Sequence, residues 1–218
     1  MPPEPVLAPL LRRLAVLAAR LLLRLKVSGQ ERVPRTGGVL LAMNHLGSAD
    51  PIIVVGHSPR PLTVIGKSEI VGWPLVGLVA RAYGMIPVRR GEPDRAPLKT
   101  AISLLRSGRA LLVAPEGRES LSGALERAKE GPAFIAQHSG APIVPVALTG
   151  TEWNRLLPAW RRLRRPYATL TFGSPFTLPP GLTRRAAADF MMRRIAELLP
   201  PAYRGVYADD EGQTTKDR

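Results

Sequence analysis

The run GVLLAM over residues 38–43 constrains the fold more than any other feature of the chain, because it stays apolar at every position instead of alternating. A strand with one wet face alternates, whereas one that is apolar throughout is covered on both faces, as in a parallel sheet between helices. Short runs of similar kind recur at residues 62–65, 85–88, 110–114, 143–148 and 168–172, with helical patterns between several of them. Residues 97–107 and 132–139 each carry a proline near the start and are followed by Gly108 and Gly140, the start and stop marks of helices. Thr183 is placed to cap a closing helix through Leu199. Within 218 residues this alternation predicts the α/β class, one domain with a mixed, largely parallel sheet flanked by helices. The domain is expected over residues 27–200. Residues 201–218 turn polar, with Asp209, Asp210 and Glu211, and are expected to form a flexible tail.

Ahead of the domain, residues 6–25 are dense in Leu and Ala but interrupted by Arg12, Arg13, Arg20 and Arg24. A membrane span needs about 20 largely uncharged residues, so no transmembrane helix is expected, and a secretory signal fits poorly because arginines divide the apolar region. At 100° per residue Arg13, Arg20 and Arg24 share one narrow arc, and Leu10, Leu14, Leu17, Leu21 and Leu25 are expected on the opposite side. Residues 1–26 therefore read as an amphipathic interfacial helix, with leucines in the acyl boundary and arginines toward anionic lipid. The alternative is a helix that packs its leucines on the domain.

The charge balance of 31 Lys+Arg against 17 Asp+Glu gives +14, which favours nucleic acid, an anionic membrane surface or phosphorylated small molecules. Aromatic residues make up only 5% and the basic residues are scattered, so nucleic acid is not expected as a partner. The lack of cysteine excludes disulfides, thiolate metal sites and a cysteine nucleophile, and the three histidines are too far apart in sequence for a local zinc cluster.

Directly after the first apolar run comes Asn44-His45-Leu46-Gly47-Ser48-Ala49-Asp50-Pro51. On one helix a five-residue offset is a rotation of about 140°, so His45 and Asp50 would not share a face. They meet if His45 sits in a turn and Asp50 is the N-cap of a helix starting at Pro51, one carboxylate oxygen capping while the other accepts from the imidazole. Such a pair fixes the tautomer and leaves the other ring nitrogen as a base. No partner serine is evident, so the simplest chemistry is direct activation of a substrate hydroxyl for attack on an activated carbonyl. The plainer reading makes Asp50 a cap and His45 a loop histidine.

A second string, Ala114-Pro115-Glu116-Gly117-Arg118-Glu119-Ser120, also follows an apolar run, where α/β proteins build their sites. A third, residues 84–91 (GMIPVRRG), places Arg89 and Arg90 just after another. Guanidinium forks match phosphate oxygens, so Arg89, Arg90 and Arg118 are candidates to hold a phosphorylated substrate beside His45.

In this order the strings resemble the lysophosphatidic acid acyltransferase family of glycerolipid acyltransferases, whose pattern runs N-H-x-x-x-x-D, G-x-I-F/P-I/V-x-R and F-P-E-G-T-R-S. A fourth block, Val144-Pro145-Val146-Ala147-Leu148, is similar too, and the likeness extends over residues 27–176. The resemblance implies that His45 is the base and Asp50 its partner, that Arg90 contacts the acceptor phosphate, and that Glu116 and Gly117 shape the acceptor site. Arg89 occupies the variable place before the motif arginine. The third block departs from the pattern, with Ala114 for the usual Phe, Arg118 where Thr is common and Glu119 where Arg is expected, so phosphate contact from this block falls to Arg118 if to any residue.

The resemblance further implies acyl transfer from acyl-CoA or acyl carrier protein, as donor substrates, to the free hydroxyl of a lysophospholipid, above all 1-acylglycerol 3-phosphate. It implies no metal or redox cofactor, and an enzyme on the cytoplasmic face of a membrane, peripheral or monotopic. Two other readings stay open: the same chemistry on glycerol 3-phosphate or a lyso-aminolipid, and a non-catalytic protein that binds anionic membranes.

Overall fold

A computed structural model of the chain describes residues 7–72, 77, 80–81, 84–89 and 95–208. Its elements run α1 (Leu7–Leu22), β1 (Arg24–Ser28), β2 (Val39–Met43), α2 (Asp50–His57), β3 (Thr63–Lys67), β4 (Ile86–Val88), α3 (Ala96–Arg106), β5 (Ala110–Val113), α4 (Gly131–Ser139), β6 (Ile143–Thr149), α5 (Trp153–Arg161), β7 (Tyr167–Phe172) and α6 (Arg184–Ala196). Each apolar run is a strand, with ends within two residues of expectation.

The strands form one sheet in the order β1-β7-β6-β2-β5-β3-β4. From β2 to β6 every pairing is parallel; β7 runs antiparallel to β6, and β1 lies parallel to β7. The α/β class with a mixed, largely parallel sheet is therefore observed. All five residues of β2 are buried, because the strand is central and feeds two cores. Leu40 and Ala42 join Ala101 of α3, Ile135 of α4 and Met191 of α6. Val39, Leu41 and Met43 point the other way, to Ile53 and Val54 of α2 and Leu156 of α5. Full burial on both faces is what an unalternating apolar run requires. It also brings the carboxyl ends of β2 through β6 to one edge, with β2 in the middle. Thr183 caps α6 as expected, its hydroxyl accepting from the Ala186 N–H at 3.2 Å.

Three parts differ from the sequence reading. First, the N-terminal helix stops at Leu22, and residues 24–28 are strand β1, paired along its length with β7. The boundary at 26 thus falls inside a strand, and Leu25 leaves the leucine stripe to pack on the core. Pairing at a sheet edge overrides the helical preference of Leu, Arg and Lys there. Second, α5 was not foreseen, and it carries Pro158 inside. Third, residues 201–208 are not frayed: two short 3-10 turns dock through Tyr203 and Tyr207, whose rings pack against the core. The Tyr207 hydroxyl donates to Asp189 at 2.9 Å, so its polar tip is satisfied while its half-buried ring packs on the core. The expected tail over residues 209–218 lies outside the described residues.

Helix α1 packs on α2 through small side chains: Ala15 and Val16 lie against Gly56, and Ala19 is buried. Arg12 turns inward and donates to the carbonyls of Gly56, at 3.1 Å, and Ser58, satisfying the end of α2. Leu10, Leu14, Leu17 and Leu21 are exposed, each by about half or more. The leucine stripe thus faces away from the domain, and Arg13 and Arg20 lie beside it and not on the opposite side as expected, because a three-residue step from Leu10 or Leu17 turns the helix to within about 60° of its start. None of the described helices is long and apolar enough to cross a membrane.

Candidate active site

Three segments meet where β2 and β5, adjacent and parallel in the middle of the sheet, both end. Asn44, the first residue past β2, is buried and acts as a side-chain extension of the ladder to β6. Its Nδ2 donates to the Leu148 carbonyl at 2.9 Å, and its Oδ1 accepts the Leu148 N–H at 2.7 Å. This fixes the backbone that delivers His45. A polar residue set directly at the end of an all-apolar strand was the signal for this role.

His45 stands in the turn and Asp50 opens α2. His45 Nδ1 lies 3.2 Å from Asp50 Oδ2, and the same oxygen accepts the N–H groups of Leu46 at 2.6 Å and Gly47 at 2.8 Å. Asp50 is fully buried, and its Oδ1 has no partner among the described residues. The carboxylate does not cap its helix, contrary to the sequence expectation, and the residue before it, Ala49, makes no side-chain cap either. The reason is geometric: Asp50 already has a helical position, and helical side chains project back toward the N-terminus, which here means onto the loop of residues 45–47. One oxygen therefore both closes the loop and faces the imidazole. A carboxylate opposite Nδ1 places the ring proton there, so Nε2 carries the lone pair.

Gly47 permits a close approach: a Cβ there would lie 2.6 Å from the Thr151 carbonyl oxygen and 3.7 Å from Trp153 Nε1. The segment leading from β6 into α5 thus covers the His45 loop. Trp153 was not singled out from the sequence, and only the tertiary fold brings it here.

The loop after β5 is tied to the His45 loop by three contacts. Ser120 N–H donates to the His45 carbonyl at 2.7 Å, His45 N–H donates to Glu116 Oε1 at 3.3 Å, and the Ser48 hydroxyl donates to Glu119. Glu116, 3% exposed, also accepts the Glu126 N–H at 2.9 Å. Burial pushes its carboxyl up to about 7, against the pull of the Glu126 and His45 amides. Gly117 adopts φ 76°, the left-handed region that favours glycine, and a Cβ would press on Lys129 at 3.3 Å. Glu119, at the place where the family pattern has arginine, is thus a strut to Ser48. Arg118 is engaged with Glu126 at 2.8 Å, so a phosphate role for it would require that ion pair to open.

Arg89 is exposed immediately after β4, at the same sheet edge but beyond β5 and β3. Arg90 lies outside the described residues. Among the described residues no three His, Asp or Glu side chains gather as metal ligands. The arrangement can accept a proton at His45 Nε2 and hold the resulting imidazolium against a buried carboxylate.

Comparison with known proteins agrees with the sequence resemblance. The family model described as Acyltransferase matches residues 24–149. A 1-acyl-sn-glycerol-3-phosphate acyltransferase of Bacillus subtilis is 30% identical over 181 residues, covering 79% of this chain and 87% of that protein. One of Borreliella burgdorferi is 29% identical over 132 residues, 60% of this chain but only 53% of its own length. The crystal structure of the 1-acyl-sn-glycerophosphate (LPA) acyltransferase PlsC from Thermotoga maritima shares the fold, with a TM-score of 0.69 and 23% identity over 88% of this chain and 79% of that one.

Proposed function

The chain belongs to the Acyltransferase family, and from that premise we propose that it moves a fatty acyl group from a thioester to the free hydroxyl of 1-acylglycerol 3-phosphate, giving phosphatidic acid. The observation that carries this reading is the pair formed by His45 Nδ1 and the buried Asp50 carboxylate at the end of the central strand. His45 Nε2 takes the proton of the acceptor hydroxyl as its oxygen attacks the thioester carbonyl. The C–S bond breaks as the tetrahedral adduct collapses, and the imidazolium returns the proton to the departing thiolate. Asp50 holds the ring in one orientation and stabilises the imidazolium between these steps. The thioester is acyl-CoA or acyl carrier protein.

Arg89 and Arg90 are our candidates for the acceptor phosphate, with Glu116 and Gly117 shaping the loop beside it. The engagement of Arg118 by Glu126, and the strut made by Glu119, leave open a second acceptor reading, glycerol 3-phosphate or a lyso-aminolipid. The leucines of α1, turned away from the domain, support a peripheral or monotopic place on the cytoplasmic face of an anionic membrane. The test is release of free thiol from palmitoyl-CoA by the purified chain, with 1-acylglycerol 3-phosphate, glycerol 3-phosphate and a lyso-aminolipid offered in turn. Turnover with the first acceptor alone supports the reading; turnover with none refutes it.

A further inference from the structure

The turn that ends α5 has an unusual residue at its tightest point. Arg164 N–H bonds the Ala159 carbonyl and Leu163 N–H the Trp160 carbonyl, both at 2.9 Å, the paired bonds of a helix end closed by a left-handed residue. Glycine or asparagine ordinarily fills that place, because a side chain there crowds its own backbone. Here it is Leu163, at φ 53°, the one non-glycine residue with positive φ among the described residues. It is also 95% exposed, so no packing compensates the strain.

Around this leucine the chain reads Arg161-Arg162-Leu163-Arg164-Arg165, with all four arginines exposed. No side chain among the described residues pairs with Arg162 or Arg164. These two line a cavity of about 480 Å³ together with Arg155 and Tyr203. Arg155 is held by the Tyr203 hydroxyl at 2.6 Å and faces Glu152 at 3.9 Å, so the two unpaired guanidinium groups carry the local charge. The turn is also fastened to the end of α1. Trp160 Nε1 donates to the Leu22 carbonyl at 3.0 Å, and Arg165 donates to the carbonyls of Leu23, at 2.7 Å, and Arg20. An exposed leucine ringed by cations is thereby held beside the end of the helix that carries the exposed leucine stripe.

We propose that the 161–165 turn is a second membrane contact, in which Leu163 enters the acyl boundary of an anionic bilayer while Arg162 and Arg164 bind lipid phosphates. The inference rests on the reading of α1 as a membrane face and adds to it a second, independently placed anchor. Two contacts at the ends of β6, β7 and β1 fix how the domain is oriented on the surface, whereas one helix alone leaves it free to roll. Charge complementarity and the bonds to α1 favour a bilayer over a second copy of this chain, whose turn would carry the same positive charge.

The test uses the full chain with vesicles of equal parts phosphatidylcholine and phosphatidylglycerol, and with vesicles of phosphatidylcholine alone. Leu163→Asn is the informative variant, since asparagine tolerates the left-handed region and the fold is kept. It should lower vesicle partition about tenfold, the order expected for losing a buried leucine side chain, while its Tm stays equal or rises. The double variant Arg162→Gln, Arg164→Gln should lose binding on the anionic vesicles and not on the neutral ones. Leu14→Ser with Leu17→Ser reports on α1 separately. If that α1 variant loses binding while Leu163→Asn binds like the wild type, the second anchor is refuted and the α1 reading stands. If the wild type itself does not bind vesicles, both fail. A Leu163→Asn variant that changes only the oligomeric state, by sedimentation velocity, makes the turn a self-association surface and also overturns the proposal.

Discussion

His45 illustrates how much of the candidate chemistry depends on one buried oxygen. Asp50 Oδ2 serves two loop amides and the imidazole at once, so changing it disturbs both the ring and the loop. Replacing His45 with alanine should lower acyl transfer by about 100- to 10,000-fold with the fold intact, measured as initial rates of thiol release against a matched Tm. Asp50→Asn should also lose rate. Because the carboxylate is a buried acceptor rather than a cap, this variant should in addition lose about 1–3 kcal/mol of stability in urea unfolding. Glu116 offers a different readout. Its carboxyl is raised in the folded chain, so the folded state binds the extra proton between about pH 4.5 and 7, and wild-type stability falls as pH rises through that window. Glu116→Gln removes the titration. The stability of this variant relative to wild type should therefore improve from pH 5 to pH 8, and a flat difference would place the carboxyl in a wetter setting than its burial indicates.

Elements meet through fixed polar ties as much as through apolar layers. Opposite the active edge, Arg60 donates to the carbonyls of Pro34 at 3.0 Å, Gly37 at 2.8 Å and Gly108 at 2.9 Å, closing the loops that lead into β2 and β5. Arg60→Met keeps the apolar stem but leaves these carbonyls without their donor, and should cost about 2–4 kcal/mol with little change in KM, since the site lies at the other end of both strands. On the active side, the loop into α5 comes so close to Gly47 that an added methyl must displace backbone. Gly47→Ala should therefore reduce kcat more than it reduces Tm. Equal activity would show that the His45 loop shifts without consequence.

For the molecule as a whole, topology gathers the motif loops, the end of α1 and the arginine turn at one edge of the sheet. The carboxyl ends of β2 through β6 coincide there with the start of the antiparallel β7 and of β1. A net charge of +14 then acts over a surface that also exposes leucines. Vesicle association should weaken as sodium chloride rises from about 0.05 to 0.5 M, because the Debye length shrinks to a few ångströms, yet the leucine contacts should leave a residue of binding at high salt. Complete release would make the contact purely electrostatic.

The apolar runs determined the centre of the sheet, since strands such as β2, β5 and β6 with no polar face have to be covered on both sides, and the blocks around His45, Arg89 and Glu116 were legible because each follows such a run. The sequence also carried the amphipathic α1. What it did not carry are relations between segments distant along the chain. Strand β1 exists through its pairing with β7, some 140 residues on, although its own residues favour helix. The direction of the Asp50 carboxylate followed from where α2 begins, a shift of one residue that turns a cap into a hub for the preceding loop. Glu119 became a strut, and Trp153 a neighbour of Gly47, only because β5 and β6 flank β2. Local pattern is written by burial, which each residue's own polarity encodes. The partners of a polar atom are set by which strands become neighbours, a property of the whole chain.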